Sequence, residues 1–143
     1  MKRTGLFLLI ISFIMLLSAC SGDGETPAIT DKAIQEANNT IHDEAEVRDS
    51  SIDVSEKDEE IIFILQVDAS TSKQRAQELS EAYIKKLAAG VAETPDNVSD
   101  PPEKDSLGGL YDHYDIRAGV KNPSDEWLLE GGKIGSASGI IWE

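Results

Sequence analysis

The chain divides itself at one cysteine. Leu6 to Leu17 is an apolar run broken only by Ser12; Lys2 and Arg3 precede it, and Ser18, Ala19 and Cys20 close it. A positive start, about a dozen apolar residues and a pair of small ones have the anatomy of a cleaved export leader. A retained transmembrane helix needs roughly 20 apolar residues, more than this run supplies. The consequence for folding is strict. Cys20 is the sole cysteine, so no disulfide can staple the domain. The part that folds must lie downstream and bury an ordinary apolar core.

Leu17-Ser18-Ala19-Cys20 resembles the lipobox of bacterial lipoproteins. The resemblance implies a diacylglyceryl group on the Cys20 sulfur, cleavage just before it, and a mature protein that begins there. On this reading residues 1–19 are the signal peptide, and residues 20–28 are the lipidated cysteine with a flexible Gly, Ser, Pro and acid-rich tether. The partner it implies is the membrane, held through lipid on Cys20 at the extracytoplasmic face of the cell. Two or more acyl chains make a stable anchor where one alone is marginal. Ser21 to Ala28 reaches only about 25 Å at ~3.3 Å per residue, which keeps the domain near the bilayer. Ser21 stands where an Asp often marks inner-membrane retention in Gram-negative cells. The Lys, Glu and Asp-rich style and short signal are similar to Gram-positive lipoproteins.

The formal charge is −14, from 27 acids against 13 lysines and arginines. The leader carries two cations and no acid, so the exported part is more negative still. Such a balance excludes nucleic acid as a partner, because phosphate recognition rests on Lys and Arg. It also opposes lying flat on an anionic leaflet. A neutral or basic partner, such as another envelope protein or a cationic peptide, fits better. The plain alternative is that the charge only keeps an exported domain soluble.

Residues 29–143 read as one small domain. Ile34, Ala37, Ile41 and Ala45 predict a first helix from Ile29 to about Ala45, with Thr30 or Asp31 as its cap. Val47 to Ser55 and Ile61 to Asp68 predict a hairpin across the charged turn Glu56 to Glu59. Thr71 with Gln74 matches a capping box. The helix it opens carries Ala76, Leu79, Tyr83 and Leu87, flanked by Ala82 and Ile84, with Glu81 and Lys85 as an ion pair and Gly90 as C-cap. Residues 92–109 are acidic and Pro-rich without periodicity, which predicts a flexible loop. Leu110 to Val120 and Glu126 to Ile134 predict two more strands. Asn122 to Asp125 forms the turn between them, and Gly131-Gly132 marks a bulge or strand end. Gly139 to Trp142 closes with apolar residues that pair or pack.

No catalytic constellation emerges. The lone cysteine is assigned to lipid, no Ser stands in a G-x-S-x-G elbow, and Gly131 to Ser136 fails the phosphate-loop pattern. His113 and Asp115 share a strand face as two possible ligands, but a metal site needs three or four, so neither metal nor cofactor is expected. Asn39 and Asn97 open chance N-x-[ST] patterns. The residues left for binding are Tyr111, His113, Arg117 and Trp127. Alternation places Tyr111, His113 and Arg117 together on the outward face of the third strand, and Trp, Tyr and Arg dominate binding hot spots. The alternative for these aromatics is core packing, which claims Tyr114.

The expectation is an α+β fold in the order α-β-β-α-β-β with a short C-terminal strand. Two helices would cover one face of a mainly antiparallel sheet of four to five strands. The function expected is a membrane-anchored, non-enzymatic binding or accessory module. A regulatory, exclusion, immunity or sporulation-type lipoprotein is the second reading, and a ligand or metal sensor the third.

Overall fold

The computed structural model describes residues 25–97, 99–135 and 137–143. The leader, Cys20 and the start of the tether lie outside them. The fold is α+β, with two helices and a five-stranded, mostly antiparallel sheet. In chain order the elements are α1 (Asp31–Ile41), β1 (Val47–Ser55), β2 (Glu60–Val67), α2 (Lys73–Ala92), a 3-10 turn (Gly109–Asp112), β3 (Asp115–Lys121), β4 (Trp127–Lys133) and β5 (Ile141–Trp142). The strands lie side by side in sequence order, β1 to β5. β2 and β3 are parallel and every other pair is antiparallel. A parallel pair needs a long crossover, and α2 is that crossover.

Thr30 caps α1 by accepting from the Ala33 amide at 3.2 Å, and the helix is shorter than its periodicity suggested. Its buried stripe is Ala33, Ala37 and Ile41, while Ala45 lies beyond the helix and is exposed. The cap of α2 is Ser72, which accepts from the Arg75 amide at 3.1 Å, one residue later than Thr71. Gly90 is not a C-cap either. It sits inside α2, where an added Cβ would stand 3.3 Å from Ala33 Cβ, so it is the point of close approach between the helices. Glu81 and Lys85 do not pair as expected. Glu81 accepts from Gln77 and Trp142, and Lys85 donates to the carbonyls of Glu103 and Lys104. Those last bonds tie the 93–108 loop back onto α2, and Gly109 N–H donating to the Asp100 carbonyl at 2.9 Å joins the loop to the 3-10 turn.

One face of the sheet makes the core. Ile61, Phe63, Leu65 and Val67 of β2 are fully buried, and Ile116, Ala118 and Val120 of β3 join them. Phe63 meets Tyr83 of α2 edge-on at 5.5 Å and Tyr111 at 6.3 Å. Ser50 of β1 and Tyr83 both donate to the Asn38 side chain of α1, binding helix, helix and strand at one polar point. Burial pushes the Tyr83 phenol up to about 12. At the start of α2, Arg75 donates to Glu46 at 3.0 Å and to Glu44 at 2.8 Å, and its hydrogen bond holds the Glu46 carboxyl below the ordinary carboxylate value.

Candidate functional site

The other face of the sheet takes the alternate residues. Strand register lines them up in rows. Asp53, Ile62, Arg117, Gly132 and Ile141 form one row, and Ser51, Ile64, Gly119 and Glu130 form the next. Ile62 and Ile64 are half-buried, and Arg117, Glu130 and Ile141 are exposed. Among the described residues, the large apolar side chains left exposed are Trp127 (47%), Ile134 (79%) and Ile141 (73%). All three belong to this face or to the hairpin at its edge.

Two parts of the face differ. At the β3–β4 turn, Trp127 lies flat over Gly119, and a Cβ on that glycine would stand 2.4 Å from the indole. Lys121 sits 4.4 Å from the ring centroid, held at 3.0 Å by Asp125. The turn is the predicted one: Asn122 Oδ1 accepts from the Ser124 and Glu126 amides, and Asp125 takes φ 67°. At the opposite end lies an open groove of about 700 Å³. Its floor is the Gly131-Gly132 backbone, and Glu60, Asp115, Arg117, Glu130, Ile134 and Ile141 are among its lining. Arg117 pairs with Glu60 at 3.0 Å, and Asp115 accepts from the Gly135 amide at 2.7 Å.

The residues singled out from the sequence do not come together. Arg117 is on the open face, where alternation put it, and Trp127, for which no face was read, lies there too. Tyr111 does not. Leu110 to Asp112 is a 3-10 turn, which sends Leu110 and Tyr111 both inward where a strand would have split them. Tyr111 is 1% exposed, donates its hydroxyl to the Ile84 carbonyl at 2.5 Å, and is pushed well above the usual phenol value by burial. His113 ends that turn, half-buried, one residue short of Tyr114 and off the strand. The proposed trio therefore dissolves, and so does a strand-face pairing of His113 with Asp115. Among the described residues no group of three or more His, Cys, Asp or Glu is placed to hold a metal ion.

Sequence reasoning missed Gly132, Ile141 and Glu130. Gly131-Gly132 is neither bulge nor strand end; both glycines pair in register, with Ala118 and Arg117. A double glycine inside a strand does signal close approach of another group, and here the Trp142 indole covers Gly131. Lys133, 5% exposed, turns to the helix side and donates to the Tyr111 and Gly135 carbonyls, both at 2.6 Å. Among the described residues no helix is long and apolar enough to cross a membrane. No protein-family model matches the chain, and no curated protein or solved structure matches it.

Proposed function

We propose that this is a lipid-anchored envelope protein, held through Cys20 at the outer side of the cell membrane, acting without catalysis as a binding or accessory module. The observation that carries the proposal is the Leu17–Cys20 box behind its apolar run. The arrangement within the domain supports it: the order α-β-β-α-β-β plus a short strand, with both helices against one face, leaves the opposite face for a partner. Pro27 is already buried, so the free tether is shorter than composition alone suggests and the domain works close to the bilayer. A short reach favours a neighbouring membrane protein over a distant soluble ligand. A regulatory role on that neighbour, of the exclusion, immunity or sporulation kind, is the narrower form of the same reading.

The test is Cys20→Ser in intact cells. The wild-type protein should partition with the membrane and the detergent phase, and the variant should be released or left unprocessed. Unchanged partitioning of the variant would overturn the anchor. Crosslinking in the same cells should capture a membrane neighbour from the wild type and lose it in the variant.

A further inference from the structure

Strands β3 and β4 contain three glycines, Gly119, Gly131 and Gly132. Two of them are roofed by the only tryptophans of the chain. Trp142 covers Gly131 on the helix side, where a Cβ would stand 2.5 Å from the indole, and its Nε1 donates to Glu81 at 2.9 Å. Trp127 covers Gly119 on the open face. Gly132 follows Gly131 and lies one row along the open face from Gly119; among the described residues a Cβ there would meet only the Ile116 carbonyl, at 3.1 Å. A strand with no side chain at that point offers a flat strip of backbone on which a ring can lie at van der Waals distance.

The walls of the trough suit a ring with a charge beside it. Ile134 and Ile141 expose apolar surface on one side, which a ring would remove from water. Arg117, whose side chain is 70% exposed, stands on the other and can stack its guanidinium on an aromatic face. Glu130 and Glu143 close one end of the groove, and neither carboxylate meets a cation among the described residues. The Arg117 charge is answered by Glu60, and Lys133, which also borders the groove, has its ammonium held by the Tyr111 and Gly135 carbonyls. The net charge of −14 disfavours an acidic occupant or a second copy of this chain.

We propose that the groove over Gly132 receives an aromatic side chain flanked by Lys or Arg, presented by a segment of the neighbouring protein. The ring lies on Gly132 as the chain's own indoles lie on Gly119 and Gly131, and the basic flank meets Glu130 and Glu143. The inference rests on the accessory-module reading and names the chemistry of its partner. The groove is larger than one ring and has carboxylates at both ends, which fits a ring within a peptide better than a free aromatic molecule.

The test is nuclear magnetic resonance titration of the full-length ¹⁵N-labelled protein in detergent micelles with the peptide Lys-Trp-Lys. Amide shifts should centre on Arg117, Gly132 and Ile141, and Lys-Ala-Lys and Glu-Trp-Glu should each bind about tenfold more weakly or worse, a difference of ~1.4 kcal/mol. Gly132→Val fills the trough, and Ile141→Ser strips its exposed wall without touching the core. Each should weaken Lys-Trp-Lys at least tenfold in a protein that keeps its melting temperature. Equal binding by the three peptides, unchanged binding by Ile141→Ser, or shifts centred away from the groove would overturn the proposal. A protein that is crosslinked to a neighbour in cells yet ignores Lys-Trp-Lys loses the groove and keeps the accessory role. A protein that takes the peptide at Gly132 but captures nothing in cells loses the accessory role alone.

Discussion

Trp142 and Trp127 occupy mirror positions on one sheet, each with its indole on a glycine, yet they sit in different surroundings. Trp142 is wedged between the sheet and α2 and hydrogen-bonds Glu81. Trp127 lies on the open face, 47% exposed, with Lys121 as its companion. On the helix side the core is closely packed, and the hydroxyl of the buried Tyr111 finds the Ile84 carbonyl. On the open side one glycine is filled and its neighbour is not. A packed face shows what holds a domain together, and a gap on an otherwise filled pattern shows where something else belongs. Substitutions that treat the two faces alike should therefore give unlike results.

The largest contrast should come from adjacent residues of β2. Phe63 is fully buried between Tyr83 and Tyr111, so Phe63→Ala should cost about 3–5 kcal/mol. Ile64, one residue on, faces the opposite way and is half-buried. Ile64→Ala should cost less, about 1–2 kcal/mol, because part of its side chain stays in water in the folded protein. Chemical denaturation of the two variants measures the difference directly. Similar losses would mean that the open face is covered in the folded protein and is no docking surface.

Alkali should attack the core face instead. All three tyrosines are buried in the core cluster, and each phenol is raised by burial: Tyr83 to about 12, Tyr111 well above the ordinary phenol value, and Tyr114 with added repulsion from Glu56 and Glu59. A folded-state value above the unfolded one stabilises the fold fully below the unfolded value, about 10, and that contribution fades as pH rises through the folded value. The denaturation midpoint should hold up to about pH 10 and fall between 10 and 12. Tyr114→Phe should flatten part of that fall. A midpoint flat to pH 12 would contradict the packing of these rings.

How much of this was legible in the sequence follows from which periodicities are local. The run Ile61 to Val67 is dense in β-branched and aromatic residues, and the face read for Ile61, Phe63, Leu65 and Val67 is the buried one. The stripe of α2 held too, except that Ala82 is exposed and Ser80 is fully buried, since a helix facing both a sheet and another helix buries more than one stripe. Leu110 to Tyr114 misled because the alternation of Tyr114 to Val120 was carried back past Asp112, where it already fails. Gly108, at φ 101°, turns the chain into a 3-10 turn instead, and period two no longer says where Tyr111 points. Of the candidate site, the face of Arg117 was readable from strand alternation, and Trp127 was singled out only as an aromatic. Gly132, Ile141 and Glu130 were not readable, because they meet only through the register of β3, β4 and β5, a long-range property.

The roofed glycines give the next contrast. Gly131→Ala would set a Cβ 2.5 Å from the Trp142 ring and 2.9 Å from the Ile141 carbonyl. Backbone cannot swing aside, so a cost of about 1–3 kcal/mol is expected. Gly119→Ala collides only with the far end of Trp127, an exposed side chain that can rotate away at the loss of its ring contact and its contact with Lys121. About 1 kcal/mol is expected there, and most of it should vanish in a Trp127→Ala background, giving a coupling above ~0.5 kcal/mol in a double-mutant cycle. Additive effects would mean that the indole does not lie where it has been placed.

The smallest effect is the most telling for the vacant position. Gly132→Ala adds one methyl where the single neighbour is the Ile116 carbonyl at 3.1 Å, close enough that the strands must give by a few tenths of an ångström. Against that strain, alanine loses less backbone freedom on folding than glycine and sits better in a strand. The two effects oppose each other at similar size, so stability should change by no more than about 0.5 kcal/mol, the range of surface substitutions. Thermal melting of Gly131→Ala, Gly119→Ala and Gly132→Ala in one buffer should rank them in that order of damage. A large loss at Gly132 would show that the position is needed by the fold itself and that its emptiness has a structural cause. A negligible loss there, beside real losses at its two roofed neighbours, leaves the missing side chain with no structural purpose, and a ring brought by a partner becomes the account of why the strand carries a glycine at that point.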